Sequence, residues 1–115
     1  PSDASQKAGL AFLERKLRRQ DRDPEVGEQT IAAQGEAIGK WHVPDENALE
    51  YLKSITQPVL VVQGSNDVII PTRHSFTLQQ NLPNAQLIVY PDSNHGSIYQ
   101  YPEAFVANAT TFLDA

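Results

Sequence analysis

A chain of 115 residues with a net charge of −5 is at most one domain's worth of polypeptide, able to bury roughly two thirds of its unfolded surface. It has no cysteine, which excludes disulfides, thiolate zinc sites and a cysteine nucleophile, and its nine Lys and Arg against fourteen Asp and Glu disfavour nucleic acid. No run approaches the ~18 apolar residues of a membrane span and no apolar leader opens the chain, so a soluble, cytoplasmic protein without a membrane partner is expected.

Methionine is also absent, the initiator included, and the chain begins Pro1-Ser2-Asp3. Processing would account for this, as would a piece cut from a longer protein. Charge is divided unevenly: eighteen of the twenty-three charged residues precede Pro58. The second half then either lies inside something larger, is wrapped by partners, or is covered by its many Gln, Asn, Ser and Thr.

Leu10, Leu13 and Leu17 recur at helical spacing between about Ser5 and Gln20, with Arg15, Lys16, Arg18 and Arg19 placed where cations suit the helix dipole. Asp23-Pro24-Glu25 reads as the cap, first-turn proline and acidic start of a second helix, which presents Ile31, Ile38 and Trp41 on one face and ends near Gly39. Gly35 and Gly39 weaken that helix by up to about 1 kcal/mol each relative to Ala. A third short helix is expected from Asp45 or Glu46 to Ser54, with Leu49, Leu52 and Ile55 inward.

Gln57-Pro58 halts the helical period. Val59-Leu60-Val61-Val62 is an unbroken aliphatic run of the kind found in a parallel strand buried on both faces. Pro71 and Thr72 open a helix through about Asn81, with Phe76 and Leu78 assigned to its inward face. Gln86-Leu87-Ile88-Val89-Tyr90 makes a second strand, and Pro102 starts a last helix with Phe105, Val106, Ala109, Phe112 and Leu113 on one side. The order strand, helix, strand, helix predicts an α/β unit with two adjacent parallel strands and a right-handed crossover.

Ligands and reactive groups collect outside the carboxyl ends of such strands. Asp67, in Gly64-Ser65-Asn66-Asp67, follows the first strand, and His95, in Asp92-Ser93-Asn94-His95-Gly96, follows the second. Neighbouring strands roughly 4.8 Å apart can bring a carboxylate to one imidazole nitrogen and leave the other free as a base. Asp and Asn are also ordinary turn residues and a loop His is commonly solvated, so spacing alone leaves both readings open.

The string Pro58-Val59-Leu60-Val61-Val62-Gln63-Gly64-Ser65-Asn66-Asp67, followed by Val68-Ile69-Ile70-Pro71, resembles the strand and acid turn of the α/β-hydrolase family. Pro83-Asn84-Ala85-Gln86-Leu87 and Tyr90-Pro91-Asp92-Ser93-Asn94-His95-Gly96 resemble that family's next strand and histidine loop. The resemblance implies a partial α/β-hydrolase fold, with Asp67 as the acid and His95 as the general base of a catalytic triad. It also makes residues 1–57 similar to the end of a helical lid and residues 58–115 the C-terminal β-α-β-α part of the core.

Trp41 is then either a pocket wall or a core residue holding the second helix down. His42 reads as a surface residue. His74, Asp92 and His95 lack a metal-binding pattern, and no metal or cofactor is expected.

The family's G-x-S-x-G nucleophile elbow is absent, since no serine here has glycine two residues before and two after it. The expected reading is a C-terminal fragment of a hydrolase that is inert alone, its nucleophile, Ser or Asp, lying upstream. It would be partnered by the missing N-terminal part of the core or by a second copy covering its strand edges. The alternative is a standalone, non-catalytic interaction or dimerisation domain derived from the same fold.

Overall fold

In the computed structural model, which describes residues 2–115, the first helical pattern becomes α1, Asp3–Arg18. Ser2 caps it: its hydroxyl accepts from the Ser5 amide at 3.2 Å, an interaction of about 1 kcal/mol. The leucine stripe is not the buried face. Leu10, Leu13 and Leu17 are exposed, and Ser5, Ala8, Ala11 and Phe12 are the half-buried residues.

Helix α2 is Glu28–Trp41. It begins later than the Asp23-Pro24-Glu25 signal suggested, with Gly27 at its N-cap, and runs past Gly39 to Trp41. His42 follows it on the surface and bonds back to the Ile38 carbonyl through Nδ1 at 2.8 Å. Trp41 is 80% exposed, so it is no core tryptophan. The expected third helix is a 3₁₀ turn, Glu50–Ser54, in which Leu52 is buried. The Asp45 carboxylate accepts the Asn47 amide at 2.8 Å in a local turn ahead of it.

Strands β1, Val59–Gly64, and β2, Ala85–Tyr90, pair in parallel, in register from Val59 with Ala85 to Gly64 with Tyr90. Parallel neighbours need a crossover, and α3, Arg73–Asn81, provides it by packing on both strands. The β1 run is half-buried, not buried on both faces as its composition suggested, because the described sheet has two strands only. The inward face of α3 also differs from expectation: Phe76 is 58% exposed and Leu78 is exposed, whereas Ser75 is buried. Polar bonds to the end of β1 set this rotation, Ser75 Oγ donating to Gln63 Oε1 at 3.1 Å and Thr72 Oγ1 to the Gly64 carbonyl at 2.6 Å.

A four-residue helix that no local pattern announces, α4, Ser97–Gln100, follows the second loop. Helix α5, Pro102–Leu113, starts on its proline and half-buries Phe105, Ala109 and Phe112, leaving Val106 and Leu113 exposed. Tyr101, between the two, stacks on Tyr90 with ring centroids 5.1 Å apart and donates to the Pro91 carbonyl at 2.8 Å. No described helix is long and apolar enough to cross a membrane.

Candidate functional site

Both loops leave the carboxyl ends of the paired strands, and their backbones lock together there. The Ser65 amide donates to the Tyr90 carbonyl at 2.9 Å and the Asn66 amide to the Ser93 carbonyl at 2.8 Å. Ser93 itself is buried and donates from Oγ to the Tyr90 carbonyl at 2.9 Å. A Cβ added to Gly64 would stand 2.3 Å from the Asn94 carbonyl oxygen and 2.6 Å from that of Ser93. Only glycine lets the two loops approach this closely.

Asn94 bridges the loops with one side-chain oxygen, which accepts the Val68 amide at 3.1 Å and the His95 amide at 2.8 Å. The result joins the two residues singled out from the sequence: His95 Nδ1 lies 2.9 Å from Asp67 Oδ2. The Asp67 side chain is 2% exposed and that of His95 is 53% exposed, so the acid is sheltered while the imidazole faces solvent.

The remaining carboxylate oxygen is also occupied. Asp67 Oδ1 accepts the Ile69 amide at 2.8 Å and the Ile70 amide at 2.9 Å. The Gln63 side-chain amide donates to Oδ2 and to the Ile70 carbonyl, the latter at 2.9 Å. Burial works to raise the Asp67 pKa, but the Ile70 amide, the His95 ring, the Ile69 amide and the positive charge available on His95 together outweigh it. The carboxyl is held below its usual value. An ionised carboxylate only accepts, so Nδ1 must be the donor, and the neutral ring then carries its free lone pair on Nε2. That is the tautomer a general base needs.

A cleft of about 260 Å³ opens beside the histidine loop, between α1 and α4. Asn94 and Gly96 border it on the loop side and Ala8, Gly9 and Phe12 on the α1 side, where Phe12 stacks on Tyr99 with centroids 4.8 Å apart. Trp41 lines a separate hollow with Val43 and Tyr51, in which neither Asp67 nor His95 takes part. His74 is exposed on α3, and among the described residues no cluster of three or more His, Cys, Asp or Glu is arranged to hold a metal ion.

Gln63, Gly64 and Asn94 complete the pair, and sequence reasoning gave none of them a role. Gln63 carried a signal, being the one polar residue before the glycine that ends an aliphatic strand.

A parallel strand crossover whose adjoining loops join a sheltered Asp to an open His is an α/β-hydrolase arrangement, and comparison with known proteins agrees. The TAP-like protein family of α/β hydrolases matches residues 23–115, and the chain belongs to it. An α/β hydrolase fold protein from Chitinophaga pinensis is similar over 100% of this chain and 42% of its own, with a TM-score of 0.88 and 45% identity. The pimeloyl-acyl-carrier protein methyl ester esterase of Nitrosomonas europaea is 41% identical over 56 residues, 49% of this chain and 22% of that protein. The 2-hydroxy-6-oxo-6-phenylhexa-2,4-dienoate hydrolase of Burkholderia cepacia is 30% identical over 83 residues, 72% of this chain and 27% of that protein. The chain thus spans well under half the length of each of these relatives.

Proposed function

We propose that this chain supplies the acid and the base of a nucleophile–histidine–acid hydrolase acting on ester or related bonds. The observation that carries the reading is the 2.9 Å bond between His95 Nδ1 and a carboxylate whose other oxygen is already filled by two backbone amides. Asp67 fixes the ring and stabilises the imidazolium that forms. His95 Nε2 takes the proton of a serine hydroxyl as the oxygen bonds to the substrate carbonyl, then returns it to the departing alcohol. It next takes a proton from the water that cleaves the acyl-enzyme and passes it to the departing serine oxygen.

The nucleophile and the oxyanion donors come from outside these 115 residues, which have no G-x-S-x-G elbow. If the nucleophile is Asp, the covalent bond forms without a proton passing to His95, which then serves only to activate the hydrolytic water. The esterase of Nitrosomonas europaea supports the ester as substrate bond. Residues 1–57 act as the lid-like segment and residues 58–115 as the core portion, whose strand edges the remainder of the hydrolase core covers.

The chain alone is inert. Turnover of p-nitrophenyl acetate by the purified 115 residues should equal that of His95→Ala and of free imidazole, and His95-dependent turnover above that level would contradict the assignment.

A second reading, a non-catalytic interaction or dimerisation domain, draws on the two-stranded sheet and on exposed Val68, Ile69 and Ile70 beside the acid turn. Sedimentation separates them: a monomer at high micromolar concentration removes the motive for dimerisation.

A further inference from the structure

The histidine loop is gripped from two sides, and only one grip belongs to the strand ends. On that side stand Gly64, the Asn66 amide and the Asn94 bridge described above. On the other side a single residue, Asp92, holds three separate partners. Its main-chain carbonyl accepts Ser5 Oγ of α1 at 2.8 Å and Gln100 Nε2 at the end of α4 at 3.0 Å. Gln100 Nε2 also reaches Ser5 Oγ at 3.1 Å, so the three polar groups close on one another. The Asp92 carboxylate accepts the Ser2 amide at 3.0 Å and the Ser2 hydroxyl, which places it at the N-terminal cap of α1.

Asp92 is the one described non-glycine residue with a positive φ, 46°. Asp is among the few residues that tolerate this conformation, and a carboxylate suits a helix N-terminus, so both halves of the residue are used. The positive φ turns the Asp92 carbonyl toward α1 while the chain proceeds through buried Ser93 to Asn94 and His95.

We infer that Asp92 is a positioning residue that latches α1 to the histidine loop, so that docking of α1 fixes His95 against Asp67. The inference rests on the acid–base reading above and adds a dependence: the lid-like helix and the base form one mechanical unit. When α1 leaves, the Asp92 carbonyl loses Ser5 and its carboxylate loses Ser2. The loop then keeps its grip on the strand side, with only Gln100 on the Asp92 carbonyl and Tyr101 on the Pro91 carbonyl opposite, and the His95 ring samples orientations away from Asp67.

The low-field proton resonance of His95 Nδ1–H, followed by NMR on the isotopically labelled chain, reports the pair without any need for turnover. Asp67→Asn serves as the assignment control. The double variant Ser5→Ala with Gln100→Leu cuts the Asp92 carbonyl contacts without altering its φ. It should move the Gly9 and Phe12 amides to undocked positions and broaden or abolish the His95 resonance. Asp92→Asn keeps an acceptor and the tolerance of positive φ and should retain both signals, whereas Asp92→Ala should lose both.

Undocking of α1 with the His95 resonance unchanged would overturn the latch, as would a double variant in which α1 stays docked. A chain that lacks the resonance before any substitution would instead refute the Asp67–His95 pair itself, and the latch with it.

Discussion

Every residue from 13 to 51 is exposed, whereas Gly64, Asp67, Tyr90, Ser93 and Ser97, within or just past the two strands, are all buried. In the first region α2 holds its shape through its own backbone bonds and an exposed Glu36–Lys40 pair at 2.7 Å, worth a few tenths of a kcal/mol. An isolated helix of 14 residues is marginal in water. In the second region each loop residue answers to several partners at once, and Asp67 alone accepts from two amides, a Gln side chain and a His ring.

The imbalance shows in the whole molecule. Its Cα radius of gyration is 16.9 Å, against about 13 Å for a compact chain of this length. Its accessible surface is 9163 Å², against about 6,200 Å² for a folded protein of this mass. The order in this chain is concentrated around Asp67 and His95, and the surface that would bury its helices is not supplied by its own residues.

The sharpest way to break this contrast is to place the same substitution in each region. Gly64→Ala drives a methyl into two carbonyl oxygens of the backbone, which cannot swing away as a side chain end could. It should destabilise the chain by about 3 kcal/mol, read as a lower urea midpoint. Asp67→Ala comes next. It leaves the Ile69 and Ile70 amides without their acceptor and should lower stability by about 2 kcal/mol in the same measurement.

Acid should act on the same residue. The Asp67 pKa is depressed by folding, so its contribution to stability is complete above the ordinary carboxylate value and is lost as pH falls through the lowered one. Urea midpoints taken from pH 6 down to pH 2 should fall for the unsubstituted chain and fall less for Asp67→Asn. Equal slopes would mean that the carboxylate is not held in the folded state. The smallest effect belongs to the open region: Gly35→Ala meets no atom within 4 Å and should raise helicity by circular dichroism, with a gain of at most ~1 kcal/mol.

The strands and the crossover helix were legible because each depends on local pattern, an aliphatic run or a proline start, whereas two loops after strand ends left the pairing of Asp67 with His95 open until the family resemblance singled it out. What was not legible depends on partners distant in sequence. Phe76 and Leu78 suit an inward helix face by hydropathy, yet Thr72 and Ser75 win it through bonds to Gly64 and Gln63. Trp41 reads from the sequence as a pocket wall or a core residue, yet nothing in this chain covers it. Asp92 read as a turn residue because its partners, Ser2 and Ser5, lie some ninety positions earlier. Gly64 meets the close approach of Ser93 and Asn94, a demand that no local pattern encodes.

The most direct measurement of the proposed chemistry sets this chain in the frame of a longer relative. The segment of the Chitinophaga pinensis protein matched by this chain, 42% of its length, is replaced by these residues, and hydrolysis of p-nitrophenyl esters by the chimera is followed. The chimera should turn over, His95→Ala should remove that turnover, and Asp67→Asn should lower kcat on the order of 10³- to 10⁴-fold with KM little changed. A folded, active chimera whose rate ignores His95 would contradict the assignment of Asp67 and His95 as the acid and base of a hydrolase.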